Sequence, residues 1–213
     1  MTARQRPGAP PPRPVIRGRL VYLRPLEPDD AEVIHRWYGD AEFLALMGGR
    51  PASLAERRAA LEKRAADPPD DVINLAICLR EDGRPIGRVD VFRIEPYNGN
   101  AGFGIGIGDP ADRGHGYGRD AVEALVDYLF GQLRLERIWL ATDADNLRAQ
   151  RLYESVGFKR EGLLRHAYYQ DGRYQDDVRM AILREEWRAL ERPKAGLMID
   201  PMEPEPLGPT GPG

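Results

Sequence analysis

The run Arg113-Gly114-His115-Gly116-Tyr117-Gly118-Arg119 sets three alternating glycines between two arginines, just before a strongly periodic apolar segment. The first turn of a helix carries N–H groups without intrahelical acceptors and a partial positive charge. Glycines let such a backbone come close to a phosphate, and arginines add charge-assisted hydrogen bonds. These residue types in this order point to a pyrophosphate cradle. The plain alternative is a glycine-rich corner that only turns the chain. Gly116 to Ala121 also fits G-x-G-x-x-A, as does Gly106 to Ala111. That dinucleotide fingerprint needs its glycines directly after a strand, followed by repeated parallel βαβ units. Here Asp109-Pro110-Ala111-Asp112 intervenes and no such repeat is present. No Gly-Lys-Ser/Thr follows, so a P-loop is excluded.

The elements around the cradle follow from periodicity. Ala121, Val122, Leu125, Val126, Leu129, Phe130 and Leu133 form a wide apolar stripe and predict a long helix directly after the glycines. Before it, 101–107 reads as a glycine-dense strand that follows an Asn98-Gly99 turn. After it, 137–142 reads as a strand, and Ala149, Leu152, Tyr153 and Val156 mark a shorter amphipathic helix that Gly157 ends. Upstream lie a strand near 20–26, a helix capped by Asp29-Asp30, and a helix from 53 to 66 carrying the Ser53/Glu56 capping box. A hairpin of 72–79 with 84–94 completes that half. Strands 158–169 and 174–183, turning at Asp171-Gly172, end the domain. The sum is an α+β chain: a mixed, mostly antiparallel sheet of about seven strands, with about four helices and one parallel crossover in the middle.

Of the 213 residues, 23 are Gly and 19 are Pro, and their distribution divides the chain. Residues 1–18 hold five prolines and four arginines with no acid; residues 191–213 hold six prolines and four glycines with a slight acidic excess. Both read as flexible tails around a single domain at 19–190. Eight glycines crowd into 99–118. A net charge of −3 argues against nucleic acid as partner, and no apolar run is long enough for a membrane span. The single cysteine, Cys78, allows no intrachain disulfide and fits a reducing, cytoplasmic setting, while three scattered histidines give no metal site.

The residues Arg113-Gly114-His115-Gly116-Tyr117-Gly118 match R-x-x-G-x-G, and Asn146 to Phe158 reads N-x-x-A-x-x-L-Y-x-x-x-G-F. In this order, separated by a helix and a strand, the two motifs resemble those of the GNAT N-acetyltransferases. The ending Glu161-Gly162-Leu163-Leu164-Arg165, with Tyr168, Asp171-Gly172, Asp176-Asp177-Val178 and Met180, is similar to the RimJ/RimL-like branch, which acetylates ribosomal-protein N-termini and other amines.

The resemblance implies a GNAT-like sheet whose central parallel strands splay, with acetyl-CoA or another short acyl-CoA in the gap and no metal. Residues 113–119 would hold the pyrophosphate, with His115 and Tyr117 at variable positions of the loop. Backbone groups near Ile105 and Ile107 would pair with the pantetheine amides, and Asn146 would bond the cofactor as well as cap its helix. Tyr153 would be the general acid that protonates the leaving thiolate, a task within reach of a neutral phenol of pKa about 10. The family's usual glutamate base falls at Gly102 here. Asp90 and Glu95 on the preceding strand, Asp177 near the last strand, and ordered water are the replacements.

The acceptor is an amine, either a small molecule or a protein N-terminus, and the acidic core favours a cationic one. Its recognition falls to surface pieces near 53–66, 93–100 and 165–176. An exposed strand edge leaves room for a homodimer. A non-catalytic acyl-CoA sensor, motivated by Gly102, and a nucleotide-dependent oxidoreductase, motivated by G-x-G-x-x-A, are the rival readings.

Overall fold

The structure is a computed structural model and describes residues 16–170 and 172–195. The chain runs β1 (Ile16–Arg17), β2 (Val21–Pro25), α1 (Ala31–Trp37), α2 (Ala41–Met47), α3 (Leu54–Ala66), β3 (Ile73–Leu79), β4 (Pro85–Glu95) and β5 (Asn100–Ile107). It continues with α4 (Tyr117–Gly131), β6 (Arg137–Asp143), α5 (Leu147–Val156), β7 (Lys159–Gln170), β8 (Arg173–Leu183) and α6 (Arg184–Ala189). One sheet of eight strands has the order β1-β2-β3-β4-β5-β6-β8-β7, and every neighbouring pair is antiparallel except β5 with β6.

The α+β class and the mixed sheet agree with the sequence reading; the element counts differ. The additional strand is β1, which pairs Ile16 with Leu23 inside the stretch expected to be a tail. The additional helices are short. In α2 only Phe43 is deeply buried, which gives too little periodicity to read, and its N-cap is the single Asp40. In α6 no side chain is fully buried. The Ser53/Glu56 capping box, the Asn146 cap and the left-handed Gly157 (φ 110°) all stand where expected. The 1–15 and 196–213 portions of the expected tails, and Asp171 of the expected turn, lie outside the described residues.

Helix α4 is the central rod of the core. Val122, Leu125, Val126, Leu129 and Phe130 are fully buried against the sheet, which at about 1.5–3 kcal/mol per large apolar side chain makes this the main cohesive contact. Two buried aspartates on α4 tie down the chain on either side of the domain. Asp120 accepts the N–H groups of Arg19, Leu20 and Val21 at 2.9, 2.7 and 3.0 Å. Asp127 accepts Trp187 Nε1 at 2.6 Å and Arg192 Nη2 at 2.7 Å, and also the N–H of Ala195. Residues 191–195, expected in the tail, are thereby fastened to the core. Asp127 is worth this arrangement because a buried carboxylate must be fully hydrogen-bonded.

A second cluster of Ala31, Ile34, Trp37, Phe43 and Leu61 covers part of the opposite sheet face. Its approach explains two glycines, one in β5 and one just after it. A Cβ on Gly106 would lie 2.7 Å from Met47 Sδ and 2.8 Å from Phe43, and one on Gly108 would lie 2.2 Å from the Trp37 ring. The glycine face of β5 is therefore mostly covered by protein, and only at Gly104 would a Cβ meet open space.

Candidate active site

The parallel pair is short. Asn100, Ala101 and Gly102 pair with Arg137, Ile138 and Trp139, and the ladder then stops although both strands continue. Phe92 and Trp139, in edge contact at 5.4 Å, fill the space over Gly102, where a Cβ would lie 2.6 Å from each ring. Beyond that point β5 and β6 diverge, and a cleft of about 860 Å³ opens between them. Its walls include Gly104 to Ile107 of β5, Ala141 to Asp143 of β6, Ala45 to Gly48 around the end of α2, and the glycine loop.

The splay leaves one edge of β5 unpaired. Gly108 N–H donates to Ile86 O, so the hydrogen-bonded positions opposite β4 are 106, 104 and 102. Backbone groups alternate along a strand, so those of Ile105 and Ile107 point away from β4, toward the gap. This edge can pair with an extended amide chain, as expected for a pantetheine arm. The Ile107 carbonyl is already taken by Arg113 Nε at 3.2 Å.

At the cleft mouth, Gly116 adopts φ 84° and caps α4 without a side chain. The N–H groups of Gly114, His115 and Gly116 find no acceptor among the described residues, and those of the first helical turn have none by geometry. Gly114, Gly116, Gly118, Arg113 and Arg119 line the cleft. His115 and Tyr117 stack on each other at 5.7 Å and are not among the lining residues. The N–H groups with Arg119 fit a pyrophosphate, which needs several converging N–H donors and a positive field.

Asn146 Oδ1 accepts the Ala149 N–H at 3.0 Å, as a helix cap should, and Asn146 also lines the cleft. Tyr153 stands on α5 with its ring edge-on to Phe103 and Phe158, only 7% exposed, and reaches the cleft wall. Burial pushes its phenol well above the usual value, so the hydroxyl keeps its proton under all ordinary conditions.

The carboxylates divide into two groups. Asp90 is engaged by Arg88 at 2.5 Å and by the Asn74 amide, and Glu95 is exposed beside Asn98 at the closed end of the parallel pair. Neither belongs to the cleft lining. Asp143 and Asp177 do, and they are directly opposed across β6 and β8. Asp143 Oδ2 accepts the Tyr168 hydroxyl at 2.7 Å and its Oδ1 accepts the Asp145 N–H at 2.6 Å. Among the described residues no side chain is hydrogen-bonded to the Asp177 carboxylate. Burial first, then the neighbouring Asp143 charge, raise its pKa above the usual aspartate value, with Arg179 acting in the opposite direction.

The loop, Asn146 and Tyr153 were named in the sequence through the family's motifs, and all of them but His115 and Tyr117 line the cleft. Sequence reasoning named Asp177 only as one of several acids, and it missed Asp143, Tyr168 and α2. The Asp143–Asp177 pairing depends on β8 lying next to β6 inside β7, a strand order that local patterns do not carry.

Known proteins bear on this geometry. Residues 20–159 match the acetyltransferase (GNAT) domain family. Spermidine N(1)-acetyltransferase of Escherichia coli is 27% identical over 182 residues, covering 85% of this chain and 95% of that protein. Spermidine N-acetyltransferase from Vibrio cholerae, solved with CoA and spermine, superposes with a TM-score of 0.73 at 29% identity, over 79% of this chain and 98% of that one. A dodecameric structure of the Vibrio cholerae enzyme gives 0.68 at 28% identity, over 80% and 99% of the two chains. With two thirds of its length inside the family's domain, a sheet that splays at the expected strands and a cleft carrying both motifs, this chain belongs to the GNAT acetyltransferases.

Proposed function

We propose that this protein transfers acetyl from acetyl-CoA to a primary amine of a small polycationic acceptor of the polyamine type. The observation that carries the reading is the opposed pair Asp143 and Asp177 in the wall of the cofactor cleft. Two carboxylates directly across a strand pair repel each other, and a bound ammonium group relieves that repulsion. The spermidine acetyltransferases among its relatives support the same acceptor class. The RimJ/RimL-like ending supports the other candidate, a protein N-terminus, which carries one cation where a polyamine carries several.

In this reading the N–H groups of 114–118 and Arg119 hold the pyrophosphate. The free edge at Ile105 and Ile107, together with Asn146, holds the pantetheine arm. The acceptor enters as an ammonium ion and loses one proton to Asp177, which replaces the glutamate that Gly102 excludes. The amine lone pair attacks the thioester carbon, a C–N bond forms, and the C–S bond breaks. Tyr153 gives its proton to the departing thiolate and regains one from the amide nitrogen. Burial keeps the phenol protonated until the thiolate is expelled, and it also weakens the phenol as an acid, so the transfer needs the thiolate's full negative charge beside it. Asp90 and Glu95 are set aside as bases because their hydrogen bonds and positions keep them off the cleft.

A reducing, cytoplasmic setting suits the free Cys78 and belongs to the same reading. Self-association does too, given the dodecameric relative and the exposed edge strand β7. The test is CoA release from acetyl-CoA with spermidine, spermine and a peptide bearing a free N-terminus. Turnover of the polyamines is expected. Turnover of the peptide alone would transfer the assignment to protein N-termini, and no CoA release with any amine would favour the sensor reading.

A further inference from the structure

The two arginines that flank the glycine run do different things. Arg113 Nε donates to the Ile107 carbonyl at 3.2 Å, and Nη2 donates to the Gly108 carbonyl at 2.9 Å and to Asp40 Oδ1 at 3.1 Å. Its Nη1 donates to Glu42 Oε2 at 2.5 Å. A guanidinium has five N–H donors, so four of them are spent inside the protein, and the side chain is only 10% exposed. Arg119 is 51% exposed and uses Nε on Glu123 at 2.9 Å and Nη2 on the Ser155 carbonyl at 3.4 Å. Arg119 has donors to spare for a phosphate, whereas Arg113 has one.

The partners of Arg113 belong to α2. Asp40 is the helix cap, accepting the Phe43 N–H at 2.8 Å, and Glu42 lies in the first turn. The Phe43 N–H and the Arg113 guanidinium hold the Asp40 carboxyl below its usual pKa, so it stays ionised. A seven-residue helix with one fully buried side chain has little stability of its own. Yet Ala45, Leu46 and Met47 of this helix line the cleft. The contacts that fix it to the sheet are Phe43 and Met47 against Gly106, and the ion pairs of Arg113.

We infer that Arg113 is a positioning residue, which fixes α2 as a wall of the cleft from the end of β5, and is not a ligand of the cofactor phosphates. The inference rests on the acetyl-transfer reading of the cleft. It divides the glycine motif into two functions: the amides of 114–118 with Arg119 serve the cofactor, and Arg113 serves the acceptor side. A motif residue thus carries the folding of one substrate's wall while its neighbours bind the other substrate.

The test uses the full chain with Arg113→Ala, Arg113→Lys and Asp40→Asn. Asn keeps the helix cap but removes the charge, which protects the test if the alanine variant folds poorly. CoA affinity is measured by calorimetric titration, steady-state kinetics use acetyl-CoA with spermidine as probe, and amide hydrogen exchange follows residues 41–48. For Arg113→Ala the spermidine KM rises about ten-fold or more, while kcat and the CoA Kd stay within about three-fold, as loss of an arginine that bridges two carboxylates of one wall requires. Exchange at 41–48 accelerates, Asp40→Asn moves the same quantities less, and Lys, a point charge without the fork, recovers only part of the KM. A CoA Kd weakened about ten-fold or more, alone or together with KM, overturns the inference, as does unchanged exchange at 41–48. If the wild-type protein turns over no spermidine, the acceptor assignment fails, and the CoA titration and exchange still decide the role of Arg113.

Discussion

In the proposed function the two walls of the cleft recognise their ligands by different means. The cofactor wall is almost all backbone: the N–H groups around Gly116, the open edge of β5, and the start of α4. The acceptor wall is side chains brought together from α2, β6, β7 and β8, with Asp143, Asp177 and Tyr168 at its centre. Backbone recognition depends on conformation, and conformation leaves a local trace in glycine spacing. Side-chain recognition depends on which strands are neighbours, and that leaves none. The same contrast governs tolerance to change: a backbone site fails by strain, a side-chain site by lost charge or shape.

The largest expected effect lies where the walls meet. Tyr153→Phe should lower kcat by about a hundred-fold or more, the range of a lost general acid, with the acetyl-CoA Kd unchanged in calorimetry. An unchanged kcat removes the acid role and leaves the cleft assignment standing. On the cofactor wall, Gly116→Val forces a β-branched residue to φ 84°. Strain of about 1–3 kcal/mol should weaken CoA binding by roughly ten- to a hundred-fold whatever the acceptor.

On the acceptor wall, Asp177→Asn should lower kcat/KM for spermidine by about ten-fold and spare CoA affinity. The pH profile is more discriminating. Because burial and Asp143 raise the Asp177 pKa, its carboxylate is lost at a higher pH than an ordinary aspartate as the solution is acidified. The acid limb of kcat/KM should follow it, move to lower pH in Asp143→Asn, and vanish in Asp177→Asn. The stability sign is the reverse of the usual carboxylate. The folded state binds this proton more tightly than the unfolded chain does, so the contribution is fully present below the ordinary aspartate pKa and is lost as pH rises through the raised one.

The smallest effect is on activity at the position that separates this chain from the family pattern. Gly102→Glu restores the motif, but its Cβ would meet Phe92 and Trp139 at 2.6 Å each. We expect a loss of about 1–3 kcal/mol in stability from overpacking, read as a lower Tm, and no gain in rate.

The fold was legible as far as hydrophobic period and caps reach. Helices α3, α4 and α5 were readable from Ser53/Glu56, from the stripe at Ala121 to Phe130, and from Asn146 with Gly157. Strand β1 has two residues and α6 buries no side chain, so neither carries a periodic signal. The glycine-dense strand read at 101–107 did not show what lies over its glycines. Gly102 and Gly106 make room for Phe92, Trp139, Phe43 and Met47, and of the β5 glycines only Gly104 has open space at its Cβ position. A glycine leaves the same mark in a sequence whether a ligand or a neighbouring ring occupies the space. For the same reason the ion pairs of Arg113 left no local trace, since its partners Asp40 and Glu42 lie some seventy residues upstream.

Acceptor choice is where the carboxylate pair should show most directly. The deciding measurement is kcat/KM for spermidine relative to propylamine, both with acetyl-CoA, in the wild-type protein and in Asp143→Asn/Asp177→Asn. A preference for spermidine of about ten-fold or more is predicted, as expected when a second cation meets a carboxylate pair, and it should disappear in the double variant. Equal values for the two amines in the wild-type protein, or a preference that survives in the double variant, would contradict it.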